Sequence, residues 1–493
     1  MKLLKNRILI YKEIISDIDT PLSLYMKIAN YPWTFLLESI EGKKKWCRYS
    51  IIGLRCNQRI EVYGNKIKLF KDKIKIEKIK IIDPLLWISK YIKQIKKTII
   101  NKSKTRFDGG LVGYFGYDII RFIEPTIKYY KQYDPINTPD IFLLRANDII
   151  IVDKYSGRLT ILVNVNIYEK QYLKKGFERI KLIENKISDK FINKSKIYSS
   201  DLYNNNINNH ILKKYKQKPI FSSFNKFTFK NSIIKIQNFI YSGDVMQCVP
   251  SQRIIIPFYS KPLNLYRALR VLNPSPYMFY LNLKDHSVVG SSPEILVRLD
   301  NKKITLRPIA GTRHRAKHKK YDIYLENELL KDYKEFSEHI MLIDLGRNDV
   351  GKVSSTVRVT NQLLIERYSH VMHIVSNIIG ILKPKLDLID VLRATFPAGT
   401  ISGAPKIRAL EIINEIEPVK RGIYSGAIGY LSWNGNMNIA IAIRTAILKN
   451  NKLHIQSGGG IIEESNEDKE WNEILNKSSV ILKAAAIVEE NLV

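Results

Sequence analysis

The stretch LNLKDHSVVGSSPEILVRLDNKKITLRPIAGTRHR, residues 281–315, decides the fold class. Its short apolar runs are broken by turn residues, a pattern typical of a meander of successive strands. The stretch LENELLKDYKEFSEHIMLIDL lies just after it, and its apolar residues Leu329, Tyr333, Phe336 and Ile340 recur at a helical spacing. Strands and amphipathic helices within one region predict a mixed α/β fold.

Three regions of different character follow one another along the chain. Residues 1–165 contain strand-like runs such as RIEVYGNKIKLF and RLTILVNVNIY, and residues 166–225 form a polar connection rich in Asn and Lys. Residues 226–493 contain a helix, a glycine turn and a strand in FKNSIIKIQNFIYSGDVMQCVPSQRIII. They also contain a second amphipathic helix in DKEWNEILNKSSVILKAAAIVEE. We therefore predict two structured regions and a polar connection between them.

The composition bounds the class of protein. The chain has 493 residues, 45% of them hydrophobic, and a formal net charge of +33. Such a charge could serve nucleic-acid binding, but the lysines are scattered among Ile and Asn, and no zinc finger, helix-turn-helix or aromatic RNA motif accompanies them. We favour a general bias toward Lys, Ile and Asn, with a nucleic-acid-binding protein as the rival interpretation. No apolar run approaches the roughly 20 residues of a membrane helix, and the start lacks a signal-peptide core, so we expect a cytoplasmic protein.

The three cysteines give no metal or disulfide signature. Cys47, Cys56 and Cys248 form no CxxC pair and have no zinc-site spacing. This usage suits a reducing compartment.

Two pairs of glutamates share one spacing. Glu335 and Glu338 lie three residues apart in KEFSEH, and Glu470 and Glu473 lie three apart in EWNE, so each pair occupies one helical face. Such pairs are either two solvated helix surfaces or one acidic site for a cation. Mg²⁺ takes few direct carboxylates and keeps waters, so one direct and one water-bridged glutamate from each helix would suit it.

Glycine-rich turns and one isolated arginine are candidate anion contacts. QSGGGIIEES, residues 456–465, lets backbone N–H groups approach an anion or forms a flexible turn. FPAGTISGAPKIRALEII opens a helix whose N-terminus either attracts a carboxylate or is ordinarily capped. Arg444 is a lone charge in the strand-like run AIAIRTAIL, so it needs either an internal carboxylate or a substrate carboxylate as partner.

Six ordered motifs then identify a resemblance. PIAGTRHR, DYKEFSEHIMLIDLGRND, RYSHVMHIVS, FPAGTISGAPKIRALEII, YSGAIGY and EWNEILNK occur in this order. Together they closely resemble the chorismate-utilising enzymes, and among them the large subunits (component I) of anthranilate synthase. The resemblance is strong over residues 226–488 and weaker in the N-terminal half, where FLLES, RYSIIG and GGLVGYFGYD carry it. It implies two antiparallel sheets in a sandwich flanked by helices, with two lobes and a cleft.

The resemblance also implies a reaction. Family members add ammonia to C2 of chorismate, expel the C4 hydroxyl and eliminate pyruvate to give anthranilate. Mg²⁺ would be held by Glu338 and Glu473 directly, with Glu335 and Glu470 acting through water. Glu294 in GSSPE would be the proton donor, and its pKa would be raised by neighbouring carboxylates and scarce water.

The remaining implied site residues follow from the same motifs. His373 matches the histidine of the pyruvate-elimination step, with a core histidine beside Met372 as the alternative, and Thr400 matches a residue of the ring pocket. The implied substrate contacts are Gly311, Thr312, Tyr424, Arg444, Gly458, Gly459, Gly460 and Lys477.

The residues at two positions distinguish anthranilate synthases from related enzymes of the family. Those making aminodeoxychorismate often carry a nucleophilic lysine where this chain has Ala310, and isochorismate-type enzymes carry a water-activating lysine where it has Gln247. Both favour anthranilate synthesis, with aminodeoxychorismate synthase component I as the alternative. In GTRHRA, His314 and Ala316 replace the Pro and Gly of the family's usual GTRPRG. The family's usual Gly-Ala-Gly is here Gly458, Gly459 and Gly460.

The resemblance finally implies an inhibitor and a partner. Tryptophan would inhibit from a pocket built by two stretches, LLES and NPSPYMF. Its residues would be Glu38, Ser39, Asn273, Pro274, Ser275, Pro276, Tyr277 and Met278. No cysteine lies in a glycine-flanked nucleophile turn, so ammonia from glutamine would come from a separate amidotransferase subunit, component II, in a heterotetramer of two large and two small subunits.

Overall fold

A computed structural model describes residues 7–16, 18–40, 48–96, 98–100, 105–127, 132–188, 221–316, 318–368 and 371–490. Most of the predicted polar connection, residues 189–220, lies outside this part of the chain, as does Cys47. The division into three regions therefore stays a prediction.

The strands are, in chain order, β1 (Arg7–Ile15), β2 (Thr34–Glu38), β3 (Tyr49–Gly53), β4 (Gln58–Tyr63), β5 (Lys66–Lys71), β6 (Ile74–Lys80), β7 (Gly110–Phe115), β8 (Ile141–Ala146), β9 (Asp148–Asp153), β10 (Arg158–Asn166), β11 (Phe221–Ser222), β12 (Gln247–Cys248), β13 (Ser251–Pro257), β14 (Tyr277–Asn282), β15 (Ser287–Ser292), β16 (Ile295–Asp300), β17 (Lys303–Leu306), β18 (Ile309–His314), β19 (Ser354–Arg367), β20 (Val371–Leu382), β21 (Gly403–Ala404), β22 (Ala427–Ser432), β23 (Met437–Ile441), β24 (Thr445–Lys449) and β25 (Lys452–Gly458). The α-helices are α1 (Pro21–Ile28), α2 (Pro84–Lys96), α3 (Tyr172–Ser188), α4 (Lys226–Tyr241), α5 (Pro262–Leu272), α6 (Lys319–Lys331), α7 (Tyr333–Val353), α8 (Leu388–Thr395), α9 (Lys406–Ile416) and α10 (Glu467–Glu490). Two 3₁₀ turns span Tyr117–Phe122 and Gly399–Ile401.

Two large sheets carry the fold. The first has 11 strands in the order β1-β10-β9-β3-β2-β14-β15-β24-β25-β13-β11, and the second has 12, in the order β18-β20-β17-β16-β23-β22-β7-β8-β4-β5-β6 with β19 beside β20. Neighbouring strands in both are antiparallel, which confirms the predicted sheet type. The pairs β2–β14 and β7–β22 join strands from the two halves of the chain, so each sheet draws on both.

The two sheets pack face to face as a sandwich. Buried side chains of the first sheet, such as Phe35 and Phe279, meet Val112 and Phe142 of the second in one apolar cluster. The outer face of the first sheet is covered by α1, α3, α5 and α10, and that of the second by α2 and α8. No described helix is long and apolar enough to cross a membrane.

The structure corrects two predictions about local elements. The stretch 325–345 is not one helix, because Asp332 ends α6 and caps α7, its carboxylate accepting from the N–H groups of Lys334 and Glu335. The side chain of Tyr333 is 83% exposed, so it does not belong to a buried stripe. The run AIAIRTAIL is not one strand, because Arg444 has a left-handed φ of 49° and separates β23 from β24.

Candidate active site

One cavity of about 1410 Å³ gathers nearly all the predicted site residues. It opens between α7 and α10, and its floor comes from β18, β20 and the loops before α9 and after β25. It is lined by Glu294, Gly311, Thr312, Glu335, Glu338, His373, Thr400, Tyr424, Arg444, Gly458, Gly460, Glu470, Glu473 and Lys477. Gly459 does not line it but lies directly behind, where an added Cβ would stand 3.3 Å from Oε2 of Glu470.

Glu294 is a buried carboxyl group in this cavity. It follows Pro293 in the turn between β15 and β16, and it is 8% exposed. Burial raises its pKa to about 8, while a hydrogen bond from the Thr400 hydroxyl, 3.2 Å from each carboxylate oxygen, acts in the opposite direction. Loss of water, rather than repulsion by other carboxylates, is therefore what raises the pKa. At neutral pH most of the group carries its proton.

His373 lies across the β18–β20 ladder from Thr312. Its Nδ1 is 2.9 Å from the carbonyl oxygen of Gly311, and a carbonyl only accepts, so Nδ1 carries the proton. The Nε2 lone pair is left for other partners. Burial lowers the pKa of His373, which keeps the imidazole neutral. The carbonyl is presented by Gly311 at a left-handed φ of 69°, beside a bulge in the ladder.

The two glutamate pairs face the same cavity from two helices. The pKa of Glu335 is raised by burial and then by Glu338, and the pKa of Glu470 is raised by burial and then by Glu473. Glu338 accepts a hydrogen bond of 3.3 Å from Gln247, on β12. Among the residues that the structure describes, no three His, Cys, Asp or Glu side chains stand close enough together to hold a metal ion.

The neighbours of these glutamates include one residue that the motifs did not reveal. Ser465, in the loop before α10, donates its hydroxyl to Glu470 Oε1 at 2.8 Å. Serine is a common helix cap, so a serine just before a helix that starts with acidic residues did not mark a functional residue in the sequence. Lys477 pairs with Glu473 at 2.6 Å and donates to the Gly458 carbonyl at 3.0 Å, which joins α10 to the glycine turn.

Arg444 and Tyr424 form the other end of the cavity. Arg444 forms no ion pair with any described residue, and its hydrogen bond to the Lys477 carbonyl is long, at 3.5 Å. Of the two partners considered for it, the internal carboxylate is absent from the described part of the chain. Tyr424 is buried beside the cavity, and its hydroxyl stands 3.0 Å from where a Cβ on Gly458 would lie.

A second cavity, of about 1050 Å³, lies between the sheets. Glu38, Ser39, Pro276, Tyr277 and Met278 line it, whereas Asn273, Pro274 and Ser275 lie outside its lining. The two predicted stretches meet there because β2 pairs with β14 and places Glu38 opposite Met278.

The side chain of Glu38 points away from this cavity, toward α5 on the outer face of the first sheet. Glu38 is 3% exposed, and its carboxylate accepts from the Tyr266 hydroxyl, with Arg270 at 3.2 Å from Oε2, while Oε1 has no hydrogen-bond partner among the described residues. Asn273 instead donates to Ser291 at 3.0 Å.

Comparison with known proteins places the chain. A family model described as chorismate binding enzyme matches residues 36–483. The anthranilate synthase component 1 of Pseudomonas aeruginosa is 44% identical over 99% of this chain and 97% of that protein, and that of Aquifex aeolicus is 44% identical over 99% and 96%. The crystal structure of anthranilate synthase component I from Streptococcus pneumoniae is similar with a TM-score of 0.76 at 32% identity, covering 95% of this chain and 98% of that one. The chain thus belongs to the chorismate-binding enzymes, in the anthranilate synthase component 1 family.

Proposed function

We propose that this chain converts chorismate and ammonia to anthranilate and pyruvate. The observation that carries the proposal is the pairing, in one cavity, of a protonated buried acid, Glu294, with a neutral imidazole, His373, whose Nε2 is free to accept a proton. The two steps of the reaction need one group of each kind.

In the first step, ammonia forms a bond to ring C2 and the bond between C4 and its hydroxyl breaks. Glu294 gives its proton to the departing hydroxyl, which leaves as water, and the carboxylate so formed takes up the proton that the added nitrogen loses. In the second step, His373 Nε2 takes the proton from C2. The C3–O bond then breaks, the three-carbon side chain leaves as pyruvate after protonation, and the ring becomes aromatic.

The substrate is a dianion, and the cavity offers cations for it. Arg444 has no carboxylate partner of its own among the described residues, so its guanidinium suits a substrate carboxylate, with Tyr424 and the turn at Gly460 beside it. Gly311 and Thr312 would contact the ring, and Thr400 would hold Glu294 in place.

We also propose a Mg²⁺ site at the two glutamate pairs. The four carboxylates line one cavity from two helices. Burial, and to a lesser degree the second glutamate of each pair, raises the pKa of Glu335 and of Glu470, and a cation would favour the ionised forms. Glu338 and Glu473 would hold the ion, with Glu335 and Glu470 behind water. When bound, the ion neutralises the ring carboxylate and orients it.

Component 1 implies a second component, and we propose that it is an amidotransferase that supplies ammonia. Cys56 and Cys248 are buried free thiols, and burial raises the pKa of each, that of Cys248 to about 12, so neither suits a thiolate nucleophile. We further propose a cytoplasmic heterotetramer of two large and two small subunits.

Tryptophan is the inhibitor that we propose for the cavity between the sheets. Apolar side chains on the cavity face of the β2–β14 pair, such as those of Leu37 and Phe279, suit an indole ring, and Ser39 and Pro276 line the same cavity. The β2–β14 pair continues into β15, which ends beside Glu294, so the two cavities share a sheet. A ligand between the sheets could therefore favour one of two packings.

The decisive experiment mixes the purified chain with chorismate, Mg²⁺ and an ammonium salt, and follows anthranilate fluorescence with product separation. Anthranilate formation that EDTA abolishes supports the proposal. Aminodeoxychorismate as the product would show that Ala310 does not mark the sister enzyme. An absence of chorismate turnover, with salt-dependent binding to random RNA, would favour the nucleic-acid interpretation.

A further inference from the structure

A buried ion pair lies behind the cavity, outside the residues assigned above. Arg421 and Glu417, just after α9, have side chains that are 1% and 2% exposed. They form a two-pronged pair: Nη2 of Arg421 lies 2.6 Å from Oε1 of Glu417, and Nε lies 2.9 Å from Oε2. A pair so completely removed from water is not by itself good evidence of stabilisation, because its desolvation opposes its attraction. Its presence in this chain calls for another reason.

The remaining hydrogen bonds of Arg421 reach two separate backbone segments. Nη2 donates to the carbonyl of Val249 at 2.6 Å, and Nη1 donates to the carbonyl of Ile401 at 2.9 Å. Nη1 also lies 3.4 Å from the hydroxyl of Ser425, a residue held at a left-handed φ of 60°. A planar guanidinium with five donors can join these segments at once, which a lysine cannot do.

Glu417 binds a third backbone segment, at Ser251, behind the same cavity. Its Oε1 accepts from the backbone N–H of Ser251 at 2.7 Å and from the Ser251 hydroxyl at 2.8 Å. The same hydroxyl accepts from Nε2 of Gln456 at 2.8 Å. The hydrogen bonds of the pair thus reach residues that line the cavity or their immediate neighbours. These are Val249, Ile401 next to Thr400, Ser425 next to Tyr424 and, through Ser251, Gln456.

We propose that Arg421 and Glu417 are a positioning pair for catalysis, which fixes Thr400, and through it Glu294, against the opposite wall formed by Tyr424 and Gln456. The pair touches no reacting atom and acts through the segments that it joins. The proposal rests on the proposed function of the cavity, since it names what the positioned groups do. It assigns a role to a charged pair that the sequence motifs left without one.

The test compares Arg421→Lys with Arg179→Lys, which makes the same change in an ion pair with Asp148 on the outer face of the first sheet. Lysine keeps the charge at position 421 but cannot bridge Val249 and Ile401. We expect kcat with ammonia to fall about 100-fold in Arg421→Lys and to stay within about twofold in Arg179→Lys, at equal folded fractions measured by circular dichroism.

A second readout separates positioning from mere packing. Thr400 donates a hydrogen bond to the Glu294 carboxylate. If Arg421→Lys displaces Thr400, this bond is lost and the alkaline limb of the kcat profile moves to higher pH, as it should also do in Thr400→Val. The double variant should show no further shift beyond Thr400→Val. An unmoved limb in Arg421→Lys, or a kcat within about threefold of that of Arg179→Lys, would overturn the proposal.

A milder variant covers the case in which Arg421→Lys does not fold. Ser251→Ala keeps the backbone N–H bond to Glu417 and removes only the hydroxyl that connects Glu417 to Gln456. The KM for chorismate should rise about threefold or more, and an unchanged KM would overturn the proposal. If the wild-type chain makes no anthranilate, the proposed function fails; if it does and these variants resemble the control, only the positioning role fails.

Discussion

The hydroxyl of Thr400 lies 3.2 Å from both carboxylate oxygens of Glu294. Thr400 comes from a 3₁₀ turn before α9, whereas Glu294 comes from the turn between β15 and β16, so the contact joins segments 106 residues apart. This hydrogen bond opposes the effect of burial on the pKa of Glu294. The acid strength of the site therefore depends on burial, moderated by a contact that the tertiary fold creates.

Replacing Glu294 by Gln should remove the proton donor while keeping the shape of the side chain. We expect kcat for anthranilate formation to fall by about 10²- to 10⁴-fold, because departure of hydroxide without a proton is unfavourable. Steady-state fluorescence at saturating chorismate measures this. Glu178→Gln, an exposed change on α3, is the matched control, and equal activity of the two variants would contradict the assignment.

The rate should depend on pH through the same carboxyl group. A general acid acts only while protonated, and burial raises the pKa of Glu294 to about 8, so kcat should fall as the pH rises through about 8. Thr400→Val removes a hydrogen bond that favours the ionised form, which should raise this pKa and move the limb to higher pH. The profile must be measured at a fixed concentration of free NH₃. A limb that moves to lower pH would show that Thr400 does not hold the carboxylate.

The Mg²⁺ requirement should depend on both helices. Glu338→Gln and Glu473→Gln each remove one anionic ligand, and we expect the Mg²⁺ concentration for half-maximal activity to rise about tenfold or more. Calorimetric titration of Mg²⁺ into the chain with chorismate gives a readout independent of turnover. Glu490→Gln, at the far end of α10, should leave the titration unchanged. If both glutamate variants gave the same titration as the wild-type chain, the ion would bind elsewhere.

Arg444→Lys tests the carboxylate contact. Lysine keeps the positive charge but loses the planar fork that binds two carboxylate oxygens, so the KM for chorismate should rise about tenfold. The kcat should fall less than the KM rises if the contact serves binding in both the ground state and the transition state. A KM equal to that of the wild-type chain would mean that another group binds the substrate carboxylate.

Glu38→Gln tests the inhibitor cavity. The Glu38 carboxylate accepts from Tyr266 and lies 3.2 Å from Arg270, so losing its charge should shift β2 against α5 and raise the inhibition constant for tryptophan about tenfold or more. Glu77→Gln, on the edge strand β6, should keep the wild-type constant. Inhibition of Glu38→Gln at the wild-type constant would show that tryptophan does not bind in the cavity beside the β2–β14 pair.

Much of the fold could be predicted because its signals are local. The stretch 281–315 forms five strands or parts of them, β14 to β18, as its alternating runs predicted. The final amphipathic helix is present at Glu467–Glu490, and the helix, turn and strand predicted at 229–256 are also present. The two breaks that the patterns missed lie at Asp332 and Arg444. At Asp332 a side-chain cap starts a new helix, and at Arg444 a left-handed φ ends a strand, although the apolar pattern continues through both positions.

The site was predictable as a set of residue types but not as an arrangement. The spacing of Glu335 with Glu338, and of Glu470 with Glu473, is local and marks one helical face each. That the two faces line one cavity depends on how α7 and α10 pack. The bonds from Arg421 to Val249 and Ile401 connect segments far apart in the chain, and no short motif contains such a contact.

The sequence by itself determined the elements, the charged and glycine-rich motifs and, through their order, the family. These properties depend on neighbours within a few residues or on the identity of each residue. Tertiary structure alone decided that Glu294 is protonated at neutral pH, that His373 carries its proton on Nδ1, and that Arg444 lacks a carboxylate partner in the described chain. Each depends on the removal of water and on contacts between distant segments, because burial and hydrogen-bond partners set the free energy of a charge.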